Sequence, residues 1–172
     1  YGSPTWTVDG RVGGGLALDG VDDKVEMPLT ERDWKDFTVS VWVKSASDTQ
    51  NIYSAAFSNY NPNVSGSFQI DLASGYRFSS SDGTASFGPS PVGEWVHLLV
   101  SCDGTDTRLY YNGALSQTLT DASPALFNRI CVGLNRNNNQ YFAGTVDELR
   151  VYDFGLNGDQ VAALYASYMQ PA

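Results

Sequence analysis

The segment GTVDELRVYDFGL, residues 144–156, has the pattern of a β-strand but carries two adjacent carboxylates, Asp147 and Glu148. Because strand side chains alternate between faces, Asp147 is expected to share one face with Leu149, and Glu148 to share the other with Arg150. A buried carboxylate is costly unless it is paired, hydrogen-bonded or bound to a metal. Arg150 can pair with Glu148, whereas Asp147 has no partner on its face. Asp147 is therefore predicted either to accept backbone hydrogen bonds or to bind a metal ion.

Three more aspartates, Asp19, Asp22 and Asp23, lie close together in the segment GGGLALDGVDD. Calcium binds about 6–8 oxygen atoms, which short carboxylates and backbone carbonyls both supply. This segment therefore has residue types that suit calcium. A solvated turn contains the same residue types, and this alternative stays open.

Side chains for common catalytic sites are scarce. His97 is the single histidine, which excludes a zinc site built on several histidines. It lies in the strand-like run WVHLLV, and we interpret it as a packed or half-exposed strand residue, not as the base of a serine-type reaction. Cys102 and Cys131 lie in apolar runs without a basic neighbour to lower a thiol pKa. A disulfide between them and two buried thiols are equally open alternatives.

Carbohydrate recognition requires flat aromatic faces beside amide, carboxylate or guanidinium groups. Two polar loops, FSNYNPNVSG and NRNNNQY, combine these residue types. The candidate ligand-binding residues are Asn59, Tyr60, Asn61 and Asn63 in the first loop, and Asn135, Arg136, Asn137 and Tyr141 in the second. Ordinary turn formation is the alternative, because asparagine tolerates a left-handed backbone.

Outward-facing strand residues form a second set of candidates. In the alternating run FTVSVWVK, Trp42 stands on the polar face, where it is either a platform for sugar stacking or a core residue covered by another segment. Four polar residues also point off apolar strand faces and are predicted to be able to line a groove: Gln69, Asp71, Arg77 and Arg108.

The bulk composition limits the possible partners. The chain has 172 residues and a net charge of −9, from 19 acidic and 10 basic residues. Phosphates and anionic membrane surfaces require clustered Lys and Arg, so this balance argues against nucleic-acid and membrane partners and favours neutral glycans. No apolar run approaches the about 20 residues of a membrane span. An acidic, lysine-poor, turn-rich chain fits a secreted or extracellular protein.

Period-2 alternation separated by turn signals predicts an all-β, antiparallel two-sheet sandwich. The Asn112-Gly113 pair is a strong hairpin signal between two of the strands. One short C-terminal helix is predicted, with Asn157 as its N-cap, Gln160 at the third helical position and an apolar stripe that includes Val161. A single domain is expected over residues 1–172, with its core at about residues 16–165.

Four segments, in order, resemble the successive signatures of laminin-G-like, concanavalin A-type jelly-roll domains: LALDGVDDKVEMP, FTVSVWVKS, GEWVHLLVSCDGTDTRLYYNG and FAGTVDELRVYDFGLNGDQVAALY. The resemblance implies a jelly-roll sandwich with a structural calcium at Asp147, completed by carbonyl oxygens of the N-terminal strand. Near that site, Asp19, Asp22 and Asp23 are further candidate calcium ligands. Hydrolases of this fold carry two glutamates flanking an aspartate on one strand face. The nearest segment here, FQIDLAS, keeps Asp71 but has Gln69 and Ala73 at the flanking positions, so catalysis by that route is not expected.

The function implied by the resemblance is a non-catalytic carbohydrate-binding module, stabilised by calcium. We expect a monomeric module of a larger multidomain chain, appended to a secreted polysaccharide-degrading enzyme or a surface protein. Its expected partner is a polysaccharide or oligosaccharide, and it is not expected to be an enzyme. An adhesion or spacer domain that binds protein or no ligand is the alternative, followed by a divergent glycoside hydrolase.

Overall fold

A computed structural model of the chain describes residues 2–62, 64–122 and 126–170. Within these ranges the chain forms thirteen strands and one helix. Their bounds are β1 Thr5–Thr7, β2 Gly15–Asp19, β3 Val25–Asp33, β4 Asp36–Ser45, β5 Phe57–Ser58, β6 Phe68–Asp71, β7 Tyr76–Ser80, β8 Thr84–Gly88, β9 Val96–Asp103, β10 Thr107–Tyr111, β11 Ala114–Leu119, β12 Leu126–Val132, β13 Ala143–Tyr152 and α1 Gly158–Ser167.

The strands form two sheets. One sheet has seven strands in the order β1-β2-β13-β4-β9-β10-β11, and the other has six in the order β3-β12-β5-β6-β7-β8. Neighbouring strands in both sheets pair antiparallel. The predicted all-β, two-sheet sandwich with one short helix is therefore confirmed. The part of the chain that the structure describes has no helix long and apolar enough to cross a membrane.

The space between the sheets is filled by the apolar faces of alternating strands. Phe37, Val39, Val41 and Val43 of β4 are fully buried there, as the alternation predicts. The ring of Phe37 stacks on Phe68 of the opposite sheet, with 5.2 Å between the ring centroids. The side chains on the opposite faces of these strands point away from this core. They are either covered by another segment or exposed to a ligand.

Strand β13 departs from strict alternation. Its pairing with β4 shifts register between Asp147 and Arg150, and Glu148 has a positive φ of 50°. This β-bulge places Leu149 against the same core as Val146, the residue before Asp147. The prediction that Asp147 shares a face with Leu149 is therefore wrong, because one extra residue inserted after Asp147 reverses the faces.

Helix α1 covers part of the outer face of the seven-stranded sheet. Asn157 accepts a hydrogen bond from the Gln160 backbone, and the Gln160 side chain accepts one from the Asn157 backbone, so the predicted capping box is confirmed. Val161 is fully buried and packs with Leu99 and Tyr110 of the sheet. Elsewhere in the described ranges, Cys102 and Cys131 are buried and are not joined in a disulfide.

Candidate functional site

A cavity of about 250 Å³ opens on the outer face of the six-stranded sheet, between strands β6 and β7 and the loop of residues 133–142. We call it the β6–β7 cavity. Its lining side chains are one aromatic, two guanidinium groups, one hydroxyl and several amides. They are Tyr53, Gln69, Arg77, Ser79, Asn135, Arg136, Asn137, Asn139 and Gln140.

The two strands bring the polar lining together by their register. Gln69 pairs directly with Ser79. Asp71 pairs with Arg77, in the next outward-facing position. The residues between them, among them Ile70, are fully buried in the core, as alternation requires. The floor of the cavity is therefore a block of polar side chains on the outside of the sheet.

Asp71 lies at the base of the cavity, and its carboxylate accepts four hydrogen bonds. Arg77 donates to it through two nitrogens, Nε at 2.9 Å and a terminal nitrogen at 2.8 Å. Its other donors are Gln69 Nε2 at 2.7 Å and the backbone N–H of Ala73 at 3.3 Å. The hydrogen bond to Asp71 raises the pKa of Arg77 above its usual value. Asp71 therefore acts as a structural anion that orients Arg77 and Gln69.

Arg136 lies across the cavity wall and is 6% exposed. Its Nη1 donates to the carbonyl and the hydroxyl of Ser67, at 2.6 and 3.0 Å. Its backbone N–H and its Nε both donate to Gln69 Oε1, at 3.1 and 3.4 Å. A longer contact of 3.5 Å joins Nη2 to the hydroxyl of Ser79. Burial lowers the pKa of this guanidinium from its ordinary value.

The loop above the cavity is held by asparagine and by a buried arginine. Asn135 Oδ1 accepts the backbone N–H groups of Asn139 and Gln140, at 3.1 and 3.3 Å. From below, Arg129 donates to the Asn135 carbonyl at 2.8 Å and to Asn138 Oδ1 at 2.7 Å. Asn138 has a positive φ of 56°, so turn formation explains part of the asparagine run.

The second predicted loop is thus only partly a binding loop. Asn135 and Arg136 line the cavity but also build it, whereas Asn137 is exposed at its rim. The structure corrects the prediction for Tyr141, which lies at the base of the loop in a β-bridge with Leu134 and does not line the cavity.

Sequence reasoning missed Tyr53 and Ser79. Tyr53 is 49% exposed, and the guanidinium carbon of Arg77 lies 5.7 Å from the centre of its ring. The signal was an aromatic residue within the polar run TQNIYS, which on its own resembles any surface loop. Gln69 and Arg77, predicted to line a groove, do line it, whereas Arg108 lies on the other sheet and pairs with Asp103.

The first predicted loop, FSNYNPNVSG, is held by hydrogen bonds within the protein. This corrects the ligand-binding role predicted for it. Asn59 is fully buried, with its amide donating to the Leu126 carbonyl at 2.8 Å. Tyr60 is 9% exposed and its hydroxyl donates to Glu31, so neither ring face is open. Asn61 is half-buried and its backbone is tied to the Asn128 side chain. Asn63 lies outside the described residues.

Trp42 is covered by helix α1 and is 2% exposed. Tyr165 stacks on its ring at a centroid distance of 5.9 Å, and Tyr168 meets it edge-on at 5.6 Å. The guanidinium of Arg11 lies 4.6 Å from the ring centre. Of the two alternatives for Trp42, the structure supports the core residue and corrects its placement among the ligand-binding candidates.

Asp147 and the other predicted calcium ligands lie at different places. Asp147 Oδ2 accepts the backbone N–H groups of Arg11 and Val12, at 2.8 and 2.9 Å. Its Oδ1 accepts the N–H of Glu148 at 2.7 Å. Both oxygens of Asp147 therefore accept backbone N–H groups, as the hydrogen-bonded alternative requires, and a calcium ion at Asp147 stays a prediction. The ion pair predicted between Glu148 and Arg150 is confirmed, at 2.5 Å.

The N-terminal aspartates form a cluster of their own. Single ligand oxygens of Asp19, Asp22 and Asp23 lie within 4.8 Å of one another, beside an open cavity of about 620 Å³. Asp23 accepts the backbone N–H groups of Ser3 and Asp19, at 2.7 and 3.0 Å. A hydrogen bond from the Val21 backbone lowers the pKa of Asp19. This donor set fits calcium by its chemistry, and the calcium site stays a prediction.

Comparison with solved structures agrees with this architecture. Domain 4 of AbnA, a GH43 extracellular arabinanase from Geobacillus stearothermophilus solved with arabinotriose, is 24% identical with a TM-score of 0.72, over 96% of this chain and 82% of that one. The SAP-like pentraxin of Limulus polyphemus is 14% identical with a TM-score of 0.67, over 88% of this chain and 81% of that one.

The botulinum neurotoxin serotype G binding domain is 12% identical with a TM-score of 0.69, and the match spans 96% of this chain but 45% of that one. No curated protein sequence matches the chain. Residues 19–162 match the family model described as the concanavalin A-like lectin/glucanases superfamily. With most of its length matched and the jelly-roll sandwich in place, the chain belongs to this superfamily.

Proposed function

We propose that this protein is a non-catalytic carbohydrate-binding domain whose site is the β6–β7 cavity. The observation that carries the proposal is the exposed ring of Tyr53 beside the guanidinium of Arg77 and a wall of amides. A flat ring packs on the apolar face of a sugar, while amide, hydroxyl and guanidinium groups bind its hydroxyls. The proposed role is that of a secreted module, which brings an attached enzyme or surface protein close to a polysaccharide or oligosaccharide.

The chemistry of the cavity supports binding without bond cleavage. Glycoside hydrolysis requires two carboxylates, about 5–10 Å apart, with one free to donate a proton. The described residues that line the cavity include no carboxylate. Asp71, beneath it, already accepts four hydrogen bonds, two of them from Arg77.

Structural similarity supports a binding role in coarse terms. The compared structures are mostly binding domains, and one of them was solved with a bound arabinotriose. Toxin binding domains have the same fold. The second candidate function is therefore that of an adhesion domain that binds protein. Glycan binding is what separates the two functions.

The first test is a glycan array followed by affinity electrophoresis with Tyr53→Ala and Ile52→Ala. Ile52 is the exposed neighbour of Tyr53 in the same loop but does not line the cavity, so its truncation is the matched control. We expect Tyr53→Ala to weaken glycan binding by about threefold to tenfold through loss of ring stacking, and Ile52→Ala to leave it unchanged. Equal effects of the two variants would move the site elsewhere, and no glycan bound by the wild type would favour the adhesion domain.

We also propose that calcium stabilises the fold at Asp19, Asp22 and Asp23. An ion bound there would join the loop after β2 to the N-terminal segment that already contacts Asp23. Binding to the folded state alone stabilises it by about 2.7 kcal/mol at one hundred times the dissociation constant. We therefore expect EDTA to lower the melting temperature by several degrees and Asp22→Asn to remove that response. An unchanged melting curve in EDTA, with no calcium by elemental analysis, would contradict the site.

A further inference from the structure

Arg136 is a buried cation whose partners are all neutral. Its hydrogen bonds go to Ser67, Gln69 and Ser79, and none goes to a carboxylate. No carboxylate in the described ranges forms an ion pair with it. Burying a charge is costly unless an opposite charge compensates it. The guanidinium stays protonated at neutral pH, so the cost of its burial is offset by these hydrogen bonds and by the charge of Asp71, which makes no direct contact with it.

The carboxylate whose charge acts on Arg136 is Asp71, and it already accepts hydrogen bonds from other groups. Asp71 neutralises Arg77 through two hydrogen bonds and takes two more donors, which leaves it no capacity for a second arginine. Gln69 links the two arginines, since its Nε2 donates to Asp71 while its Oε1 accepts from Arg136. With two arginines and one aspartate, the floor of the cavity carries a net charge of about +1.

Arg77 and Arg136 each keep N–H donors that are not fully used by hydrogen bonds within the protein. Arg77 Nη1 makes no hydrogen bond to any described residue, and Arg136 Nη2 makes only the 3.5 Å contact with Ser79. Both residues line the cavity. Planar guanidinium groups with free N–H donors are well suited to carboxylate and sulfate oxygens. The remaining donors of both arginines are therefore available to a single ligand group.

We propose that the β6–β7 cavity binds an anionic substituent of a saccharide, a uronate carboxylate or a sulfate ester, through Arg136 and Arg77. This inference rests on the proposed carbohydrate-binding function and narrows its ligand class. It runs against the neutral glycan that the net charge of −9 favours, because that charge is spread over the molecule while the cavity is locally positive. Short contacts inside a partly buried site outweigh screened charges elsewhere on the surface.

The test compares matched pairs of saccharides by calorimetry. One arm uses uronate-containing oligosaccharides and their carboxyl-reduced neutral counterparts, and the other uses sulfated oligosaccharides and their desulfated counterparts. We expect the acidic member of at least one pair to bind about tenfold more tightly or better than its neutral partner. The arm that shows the preference identifies the carboxylate or the sulfate as the ligand group.

Two variants assign the effect to the cavity. Arg136→Gln removes the buried charge but keeps an amide donor, and Arg108→Gln removes an arginine of the other sheet as the matched control. We expect Arg136→Gln to abolish the preference for the acidic saccharide and Arg108→Gln to preserve it. Circular dichroism confirms folding, and the wild-type pairs remain decisive even if Arg136→Gln does not fold.

The outcomes separate this inference from the function on which it rests. Equal or tighter binding of every neutral counterpart would overturn the anionic ligand while leaving carbohydrate binding intact. A preference for the acidic member that survives in folded Arg136→Gln would overturn the role of Arg136. No binding of any saccharide would overturn both the ligand class and the proposed function.

Discussion

From the sequence, the outer face of either sheet was a candidate binding surface. In the structure the two faces differ in what covers them. On the six-stranded sheet a hydrogen-bonded loop stands over Gln69 and Arg77 and leaves a cavity. On the seven-stranded sheet helix α1 lies over Trp42 and His97, which are 2% and 0% exposed. One face therefore presents polar groups to a ligand, and the other has become a second, smaller core.

The two faces also differ in how most of their polar atoms are satisfied, although Arg129 Nε of the six-stranded sheet is buried without a partner among the described residues. On the six-stranded sheet Asp71 and Gln69 are linked to arginines by several hydrogen bonds. Beneath α1, the Trp42 Nε1, His97 Nδ1 and Tyr168 hydroxyl atoms are buried without a partner among the described residues. Such atoms cost stability, which aromatic packing must offset. Changes under the helix should therefore act on stability, and changes at the cavity on binding.

The largest effect that this contrast predicts is on stability, in Trp42→Ala. Removing a buried indole between Tyr165 and His97 leaves a large cavity, so we expect the free energy of unfolding to fall by about 3–5 kcal/mol. Urea unfolding followed by circular dichroism measures it. Glycan affinity, measured below the melting temperature, is expected to stay unchanged. A variant with normal stability and no glycan binding would return Trp42 to the binding site and break the contrast.

Acid should also destabilise the packing under the helix, through protonation of His97. Burial, with a smaller contribution from the charge of Arg150, lowers the pKa of His97 from 6.5 to about 4. The unfolded state then takes up its proton first as the pH falls, so the stabilising contribution of neutral His97 is complete above about pH 6.5. It is lost progressively toward pH 4, by about 3 kcal/mol in total.

The measurement is the free energy of unfolding at pH 7 and pH 4.5 for the wild type and His97→Gln. Glutamine keeps a polar partner for the Ser40 hydroxyl, which lies 2.8 Å from His97 Nε2, but cannot titrate. We expect the wild type to lose about 2 kcal/mol more than the variant over this range, since carboxylate titrations are common to both. Equal losses would show that His97 does not have a lowered pKa.

The sequence predicted which residues leave the core but not what covers them. Alternation correctly placed Gln69, Arg77 and Trp42 off the apolar strand faces, because side-chain direction follows from local backbone geometry. Whether a helix or a loop then lies over that face depends on the path of the whole chain. Trp42 and Arg77 therefore looked alike in sequence and ended in opposite environments.

Two other departures have local causes that sequence patterns do not reveal. The bulge at Glu148 shifted every later face assignment in β13 by one residue. Tyr53 lies in an irregular segment without periodicity, so its exposure and its position beside Arg77 follow from tertiary structure alone. The capping box of α1 was predictable because Asn157 and Gln160 interact within one helical turn.

The last predictions concern two asparagines of the same loop, Asn135 and Asn137, and the smallest effect on stability is expected for Asn137. Asn135→Ala leaves the backbone N–H groups of Asn139 and Gln140 without their acceptor, so we expect a loss of about 1–3 kcal/mol in stability together with weaker glycan binding. Asn137 is exposed and its side chain makes no hydrogen bond to a described residue. Asn137→Ala is therefore expected to change stability by less than about 0.5 kcal/mol.

Because Asn137 lines the cavity, its truncation should still weaken glycan binding, by about twofold to fivefold for one lost hydrogen bond. Thermal unfolding and affinity electrophoresis on the two variants measure both quantities. Asn137→Ala is the sharper of the two, since a change in binding without a change in stability can only come from contact with the ligand. If Asn137→Ala binds glycan as the wild type does while Asn135→Ala does not, the loop acts by holding Arg136 in place and its rim takes no part in recognition.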